Sequence, residues 1–431
     1  MSTPTKNIAF HTLGCKLNFS ETSEISREFI KFGFKKVHFK EKADIYVFNT
    51  CSVTENANRE ARKLVRQVKR KNPDSLIAII GCYAQLKPEE IAKIKGVDLV
   101  LGAEEKFNLI HHLDKIKLNS KTKIYNSKIE NISEFVPTFS YNERTRSYLK
   151  VQDGCDYNCS FCTIPLARGI SRSNSIDKTL KVAKKLSKTD VREIVLTGVN
   201  IGDFGKGKGE NFLDLIKQLD KIENIDRIRI SSIEPNLLNQ KIINFCSSSK
   251  KFMPHFHIPL QSGSDKILSL MKRRYNSELY TKRINKIISE IPDCCIGVDV
   301  MVGFPGETKI DFLVTYNYLK QLPISYLHVF TYSERENTDA STYKNIVSKE
   351  ERAKRSKMLH ILSEKKKNYF YKKYIGSIRP VLFESKKDGK IIGHTDNYLK
   401  VEVVGDIKII NKIILVKLVG MNGPNLIGDL Y

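Results

Sequence analysis

Apolar positions in the first third of the chain follow two periods in turn. Three strand-length apolar runs, Ile8 to Gly14, Ile45 to Thr50 and Leu76 to Gly81, alternate with stretches at about Glu21 to Phe32 and Asn58 to Lys71 whose apolar residues recur at helical spacing. This β-α-β-α-β order predicts an open sheet of parallel strands, in which ligands sit outside the carboxyl ends of the strands. From about Tyr148 to Tyr332 the two signals alternate six more times. The expected strands are Tyr148 to Val151, Glu193 to Leu196, Arg227 to Ser231, His255 to Pro259, Ile296 to Val302 and Tyr326 to Phe330. Between them lie helical stretches such as Ile176 to Ser187, Asn211 to Lys221, Ser264 to Lys272 and Lys309 to Gln321. Repeated βα units predict a partial or complete βα barrel with its site at the carboxyl face of the strands. After a helix at about Lys349 to Phe370 the pattern changes to short β runs, Ile378 to Glu384, Ile391 to Thr395, Tyr398 to Val404 and Ile413 to Leu418, punctuated by glycines. Those runs predict a small antiparallel β-barrel, so the fold class is α/β with a β-barrel at its end.

Cysteines decorate this pattern in two sets. Cys155, Cys159 and Cys162 follow the first barrel strand in the order Cys-x3-Cys-x2-Cys. Three thiolates hold three irons of a four-iron four-sulfur cluster and leave the fourth open to an exogenous ligand. A zinc site built from four cysteines, or from three cysteines and one histidine, needs a fourth protein ligand nearby, and no His lies between His112 and His255. Gly154 permits a close backbone approach, and Phe161 supplies an aromatic cover. Cys15, Cys51 and Cys82 are remote in sequence, yet each closes one of the three N-terminal apolar runs. At three carboxyl ends of one parallel sheet they converge, which points to a second three-cysteine cluster. The competing expectation is that they are ordinary buried thiols, the reading given to Cys246, Cys294 and Cys295.

Loops after the other barrel strands carry polar residues suited to a small ligand. Asn200, Ser232, Glu234 and Gln261 offer contacts for amino and hydroxyl groups, and Arg335 or Arg168 a cation for a carboxylate. Gly303-Phe304-Pro305-Gly306 allows close approach, and Glu307-Thr308 can open a helix.

Composition narrows the class further. The 431 residues leave room for two or three domains. Nine cysteines in a chain expected to be soluble and cytosolic favour metal or catalytic use over disulfides. That expectation rests on a polar Met1 to Phe19 and on the lack of a membrane-length apolar run, so no membrane partner is expected. A net charge of +25 fits a polyanionic partner, although a Lys-, Ile- and Asn-rich composition produces charge without one. Lys365, Lys366, Lys367, Lys372 and Lys373 surround Tyr369, Phe370, Tyr371 and Tyr374, a composition fit for phosphate contact and base stacking or for a solvated helix end with its aromatic face in the domain interface.

Taken together, these residues resemble the radical S-adenosylmethionine methylthiotransferases, over nearly the whole chain. Within that family Thr12-Leu13-Gly14-Cys15-Lys16-Leu17-Asn18 is most similar to the subgroup acting on threonylcarbamoyl-adenosine beside the tRNA anticodon. Val151-Gln152-Asp153-Gly154-Cys155, Ile164-Pro165-Leu166-Ala167-Arg168-Gly169 and His257-Ile258-Pro259-Leu260-Gln261-Ser262-Gly263-Ser264 carry the resemblance onward. Arg335-Glu336-Asn337-Thr338 departs from the family's Arg-Pro-Gly-Thr.

The resemblance implies an auxiliary-cluster domain over 5–120, a linker over 121–143, a radical core with a partial (βα)6 barrel over 144–368 and a TRAM-like RNA-binding barrel over 369–431. It implies two 4Fe-4S clusters, S-adenosylmethionine, tRNA, an electron donor such as flavodoxin or ferredoxin, and a sulfur donor. The cluster at Cys155, Cys159 and Cys162 would cleave S-adenosylmethionine to a deoxyadenosyl radical that takes the hydrogen from carbon 2 of the adenine, and the Cys15, Cys51 and Cys82 cluster would present the sulfur. Methylthiolation of isopentenyl-adenosine or of a ribosomal-protein aspartate is the alternative within the family. A non-catalytic RNA-binding protein with structural zinc is the alternative outside it.

Overall fold

The computed structural model describes residues 6–51, 55–113, 116, 121–141 and 145–431. The backbone forms two compact units with interleaved boundaries: residues 1–141, 148–157 and 162–172 in the first, and 142–147, 158–161 and 173–431 in the second.

The first unit is built on a six-stranded sheet of β1 (Asn7–Thr12), β2 (Lys35–Val37), β3 (Ile45–Thr50), β4 (Leu76–Gly81), β5 (Leu99–Leu101) and β6 (Lys123–Tyr125). Its order is β2-β1-β3-β4-β5-β6, and every pair is parallel. Alternate residues feed two cores. Ala9, Tyr46, Phe48, Ile77 and Ile79 pack with Ala61 and Val65 of the helix Glu55–Lys71 on one face. Ile8, Ile45, Val47, Ala78 and Ile80 pack with Ile25 and Phe29 of the helix Lys16–Lys31 on the other. A parallel strand buried on both faces reads as an unbroken apolar run, and the central strands read that way in the sequence.

In the second unit Glu193–Thr197 pairs in parallel with Arg227–Ile230, and His255–His257, Cys295–Val302 and Tyr326–Thr331 form a parallel trio. Isolated bridges Ile228 to Phe252 and Ser232 to His257 join the two sets. The C-terminal strands Ile378–Lys387, Lys390–Thr395, Lys400–Val403, Asn425–Leu430 and Ile413–Asn422 close into a barrel in that order. Its pairs are antiparallel except Lys400–Val403 with Asn425–Leu430.

This barrel caps the amino ends of the parallel strands. Arg227, first in its strand, donates to the carbonyls of His394 (3.1 Å) and Pro380 (2.8 Å). Arg229 donates to those of Asp396 (2.8 Å) and Thr395 (2.9 Å), while Glu193 holds its Nε at 2.7 Å. Cys295 shares one core with Phe370, Tyr371, Tyr374 and the barrel interior. That core decides for the aromatic face in the domain interface over base stacking: of the four aromatics in the basic run only Tyr369 is exposed. Lys366 is also turned inward, donating to the carbonyls of Lys320 (3.0 Å) and Leu322 (2.5 Å). No described helix is long and apolar enough to cross a membrane.

Candidate active site

In the first unit, adjacency of β1, β3 and β4 brings three cysteines to neighbouring carboxyl ends. Cys15 caps the helix Lys16–Lys31, Cys51 follows β3 directly, and Cys82 starts a short helix after β4. Their approach is close enough to require glycine. A Cβ on Gly14, whose φ is +122°, would sit 2.6 Å from Cys51 Cβ and 3.3 Å from its Sγ. Asn18 ties the loops together, donating through Nδ2 to the carbonyls of Leu13 (3.2 Å) and Thr50 (3.1 Å). Cys15 is exposed while Cys51 and Cys82 are buried. Burial pushes the Cys82 thiol up, Arg168 draws it down, and Cys15 acts on it as a neighbouring charge.

A buried ionic network lies beside these thiols. Arg168 donates to Asn18 Oδ1 (2.6 Å), Glu21 Oε1 (3.0 Å) and Asp153 Oδ1 (2.9 Å). Lys106 reaches Glu21 at 2.7 Å, and Lys150 reaches Glu21 at 3.4 Å and Asp153 at 3.1 Å. Arg172 adds a contact to Asp153 at 3.2 Å. Despite burial, these cations hold the Glu21 and Asp153 carboxyls far below the ordinary range. Arg168, offered by the sequence as a cation for a ligand carboxylate, is instead engaged in this network.

The Cys155 to Cys162 loop is fixed at several points. In the first unit Gly154 has φ +71°, and a Cβ there would lie 1.9 Å from the Ile170 carbonyl oxygen. The Cys155 amide donates to the Gly169 carbonyl (3.0 Å), and the Tyr157 amide to Cys155 Sγ (3.4 Å). In the second unit the Ser160 amide and hydroxyl donate to the carbonyls of Met271 (3.2 Å) and Leu270 (2.8 Å). Phe161 packs edge to face on Phe304, centroids 6.3 Å apart. Cys159 Sγ accepts from Arg273 Nη1 at 3.0 Å. Burial raises the Cys159 thiol, and Arg273 opposes that shift. Arg273 also pairs with Glu234 and lies over the Tyr275 ring.

The sequence did not single out Arg273, because Lys272-Arg273-Arg274 reads as a solvated charge run. The residue suggested at that place, Glu234, is there as Arg273's partner, its carboxyl pushed up by burial. Ser232 bridges to His257 and Gln261 to Val300. Gln261 takes φ +68°, sparsely populated for a side-chain-bearing residue. Asn200 is buried and donates to Asp203 Oδ2 at 2.8 Å. Arg335 is buried on the loop after the last parallel strand, where its carbonyl accepts from Thr338 Oγ1 (2.7 Å). The departure from Arg-Pro-Gly-Thr is accommodated there: Asn337 adopts φ +62°, which asparagine tolerates better than most residues. Cys246, Cys294 and Cys295 are buried at 5% exposure or less.

Each cysteine set offers three soft thiolate donors, which suits an iron-sulfur cluster with one iron left to an outside ligand. Comparison with known proteins agrees with this division. Uncharacterized protein family UPF0004 matches residues 7–102, and the radical SAM superfamily matches residues 149–319. The chain is 37% identical to the threonylcarbamoyladenosine tRNA methylthiotransferase MtaB of Bacillus subtilis, over 97% of this chain and 94% of that one. It is 34% identical to a tRNA-2-methylthio-N(6)-dimethylallyladenosine synthase of Clostridium tetani, over 94% and 92% of the two chains. In fold it is similar to the radical S-adenosylmethionine methyltransferase TsrM of Kitasatospora setae, with a TM-score of 0.56 at 12% identity over 78% of this chain and 77% of that one. Two matched domains in this order, and relatives similar along almost the entire length, place the chain in the radical S-adenosylmethionine methylthiotransferase family.

Proposed function

We propose that the chain converts threonylcarbamoyl-adenosine next to the tRNA anticodon into its 2-methylthio derivative. The observation that carries this reading is the convergence of Cys15, Cys51 and Cys82 at adjacent strand ends, in a chain 37% identical to a methylthiotransferase named for that nucleoside. The family's cofactors, two 4Fe-4S clusters and S-adenosylmethionine, supply radical C–H cleavage and sulfur, chemistry beyond the reach of side-chain acids and bases.

The chain's own residues bind and position. Cys155, Cys159 and Cys162 hold one cluster, and Arg273 donates a hydrogen bond to the middle ligand. Cys15, Cys51 and Cys82 hold the other beside the Arg168 network. Asn200, Ser232, Glu234, Gln261 and Arg335 stand on loops that follow the parallel strands, where the polar ends of S-adenosylmethionine need partners. Residues 5–120, 144–368 and 369–431 are assigned to the auxiliary, radical and RNA-binding parts, with 121–143 between them. A low-potential protein electron donor and a sulfur donor complete the cycle in the cytoplasm.

The deciding experiment is nucleoside mass spectrometry of tRNA from a strain lacking this modification, with and without the gene. The methylthio form of threonylcarbamoyl-adenosine is expected to appear. Methylthiolation of dimethylallyl-adenosine, or of a ribosomal protein, in its place would overturn the substrate assignment. Zinc in place of iron, with no reductive cleavage of S-adenosylmethionine, would overturn the enzymatic reading altogether.

A further inference from the structure

Three adjacent strands of the second unit each send one ligating side chain to the same place. The register sets Asp299 opposite His328 and His257 opposite Gly297, so Asp299 and His257 are diagonal neighbours on one face of the sheet. Ligand atoms of His257, Asp299 and His328 all lie within 4.8 Å of one another. His257 Nε2 is 2.7 Å from Asp299 Oδ1, and the two imidazoles meet edge to face with centroids 5.2 Å apart. Metal bonds of ~2.0–2.1 Å at tetrahedral angles hold ligand atoms about 3.4 Å apart, so small side-chain rotations bring this trio to coordinating distance.

Asp299 and Asp203 are among the charges that act on Glu234, opposed by Arg273, so the trio stands in a neighbourhood of mixed charge. His257 and Asp299 are half-buried and His328 is exposed, which gives an ion an entry path and leaves coordination positions for water or a ligand oxygen. Two imidazoles and one carboxylate select a borderline ion over hard magnesium or calcium, which take all-oxygen sets.

We propose that His257, Asp299 and His328 bind a single borderline divalent cation of the zinc or iron(II) class, as a two-histidine one-carboxylate site separate from the clusters. The competing state is a metal-free His257–Asp299 hydrogen-bonded pair with His328 beside it.

The test reads metal rather than methylthiolation, so its outcome is distinct from that of the proposed activity. Cluster-loaded enzyme, washed with chelator under anaerobic conditions and with its iron quantified, is dialysed against zinc and counted by mass spectrometry. One zinc per chain is expected above the iron, and it should be lost from His328→Ala and Asp299→Asn proteins whose iron content is unchanged. X-ray absorption at the zinc edge of the unmodified enzyme should show only nitrogen and oxygen neighbours near ~2.0–2.1 Å. The proposal is overturned by a wild-type enzyme that retains no zinc, by variants that bind as much as it does, or by a sulfur shell near ~2.3 Å, which would place the ion on cysteines.

Discussion

Glu21→Gln is the sharpest perturbation of the buried network beside Cys15 and Cys82. Glu21 is fully buried and contacts Lys106 at 2.7 Å, Arg168 at 3.0 Å and Lys150 at 3.4 Å. At an effective dielectric of about 20, each such contact is worth about 5 kcal/mol of gross attraction, offset by desolvation and by repulsion among the three cations. Removing one partner of a buried pair costs about 3–5 kcal/mol, because the other charge stays behind. Glutamine keeps the shape, so the loss is electrostatic. The readout is hydrogen exchange of β3 and β4 amides in the cluster-loaded enzyme at pH 7, expected to speed up by roughly 150- to 5,000-fold. The sign of the pH dependence is a second check. Lys106 is already held below its ordinary range by burial, and without Glu21 it falls further. The unfolded chain then binds the extra proton, so stability rises with pH and the variant's deficit shrinks as pH climbs toward the ordinary lysine range. Below the ordinary glutamate range the deficit also shrinks, as the wild type loses what its depressed Glu21 contributes. Exchange within about fivefold of wild type, or a deficit that grows as pH rises toward the ordinary lysine range, would refute the network's role.

Cysteine replacements should separate the two sites: Cys159→Ala abolishes reductive cleavage of S-adenosylmethionine, whereas Cys51→Ala spares cleavage and stops sulfur insertion. Methylthiolation by the Cys51→Ala protein in a discontinuous assay would contradict the assignment. Gly14→Ala, which forces a Cβ to 2.6 Å from Cys51 Cβ, should reduce bound iron from about eight to about four per chain, a loss read by iron and sulfide analysis. Arg273→Met removes the 3.0 Å N–H···S contact to Cys159. A differential of about 1 kcal/mol between redox states corresponds to about 40 mV for one electron, so an EPR-monitored titration should find the potential lowered by that order. An unmoved potential would mean that the contact does not act on a cluster ligand.

Much of the fold was legible because burial wrote it into the apolar pattern. Ile45 to Thr50 and Leu76 to Gly81 were read with the boundaries they have, since both faces of these strands are packed. The preceding helix was read five residues late, at Glu21 rather than Lys16, because its first turns bury Asn18, Ser20, Glu21, Thr22 and Ser23 in place of apolar groups. Polar burial of this kind has no periodic signature, and here it marks the site. Asn425–Leu430 has no clear strand signature because Gly428 and Asp429 interrupt its apolar pattern. For Phe370, Tyr371 and Tyr374 the sequence leaves base stacking and a domain interface both open, because only the fold shows that the C-terminal barrel packs on them. Arg273 was invisible for a similar reason: its partners, Glu234 and Cys159, are 39 and 114 residues away.

The charge beside Cys15, Cys51 and Cys82 explains why such an expensive polar interior is tolerated. Arg168, Lys106, Lys150 and Arg172 contact only two carboxylates, Glu21 and Asp153, among the described residues. Positive charge is therefore in excess beside Cys82, whose thiol feels Arg168 and Lys106 as its lowering influences. Deprotonating three thiols to bind iron supplies negative charge where the protein interior lacks it. Ligation and folding are then linked: the network stabilises the thiolate form of the site, and the thiolates stabilise the network. The linkage runs in one direction of charge only. A neutral replacement of a cation, such as Lys106→Met, should raise the cost of deprotonating Cys82 and weaken iron retention, while Glu21→Gln should destabilise the strands yet leave the thiols under a stronger positive field. A network serving packing alone would make both variants lose iron in proportion to the stability they lose, so iron retention plotted against exchange protection distinguishes electrostatic support of the cluster from structural support of the fold.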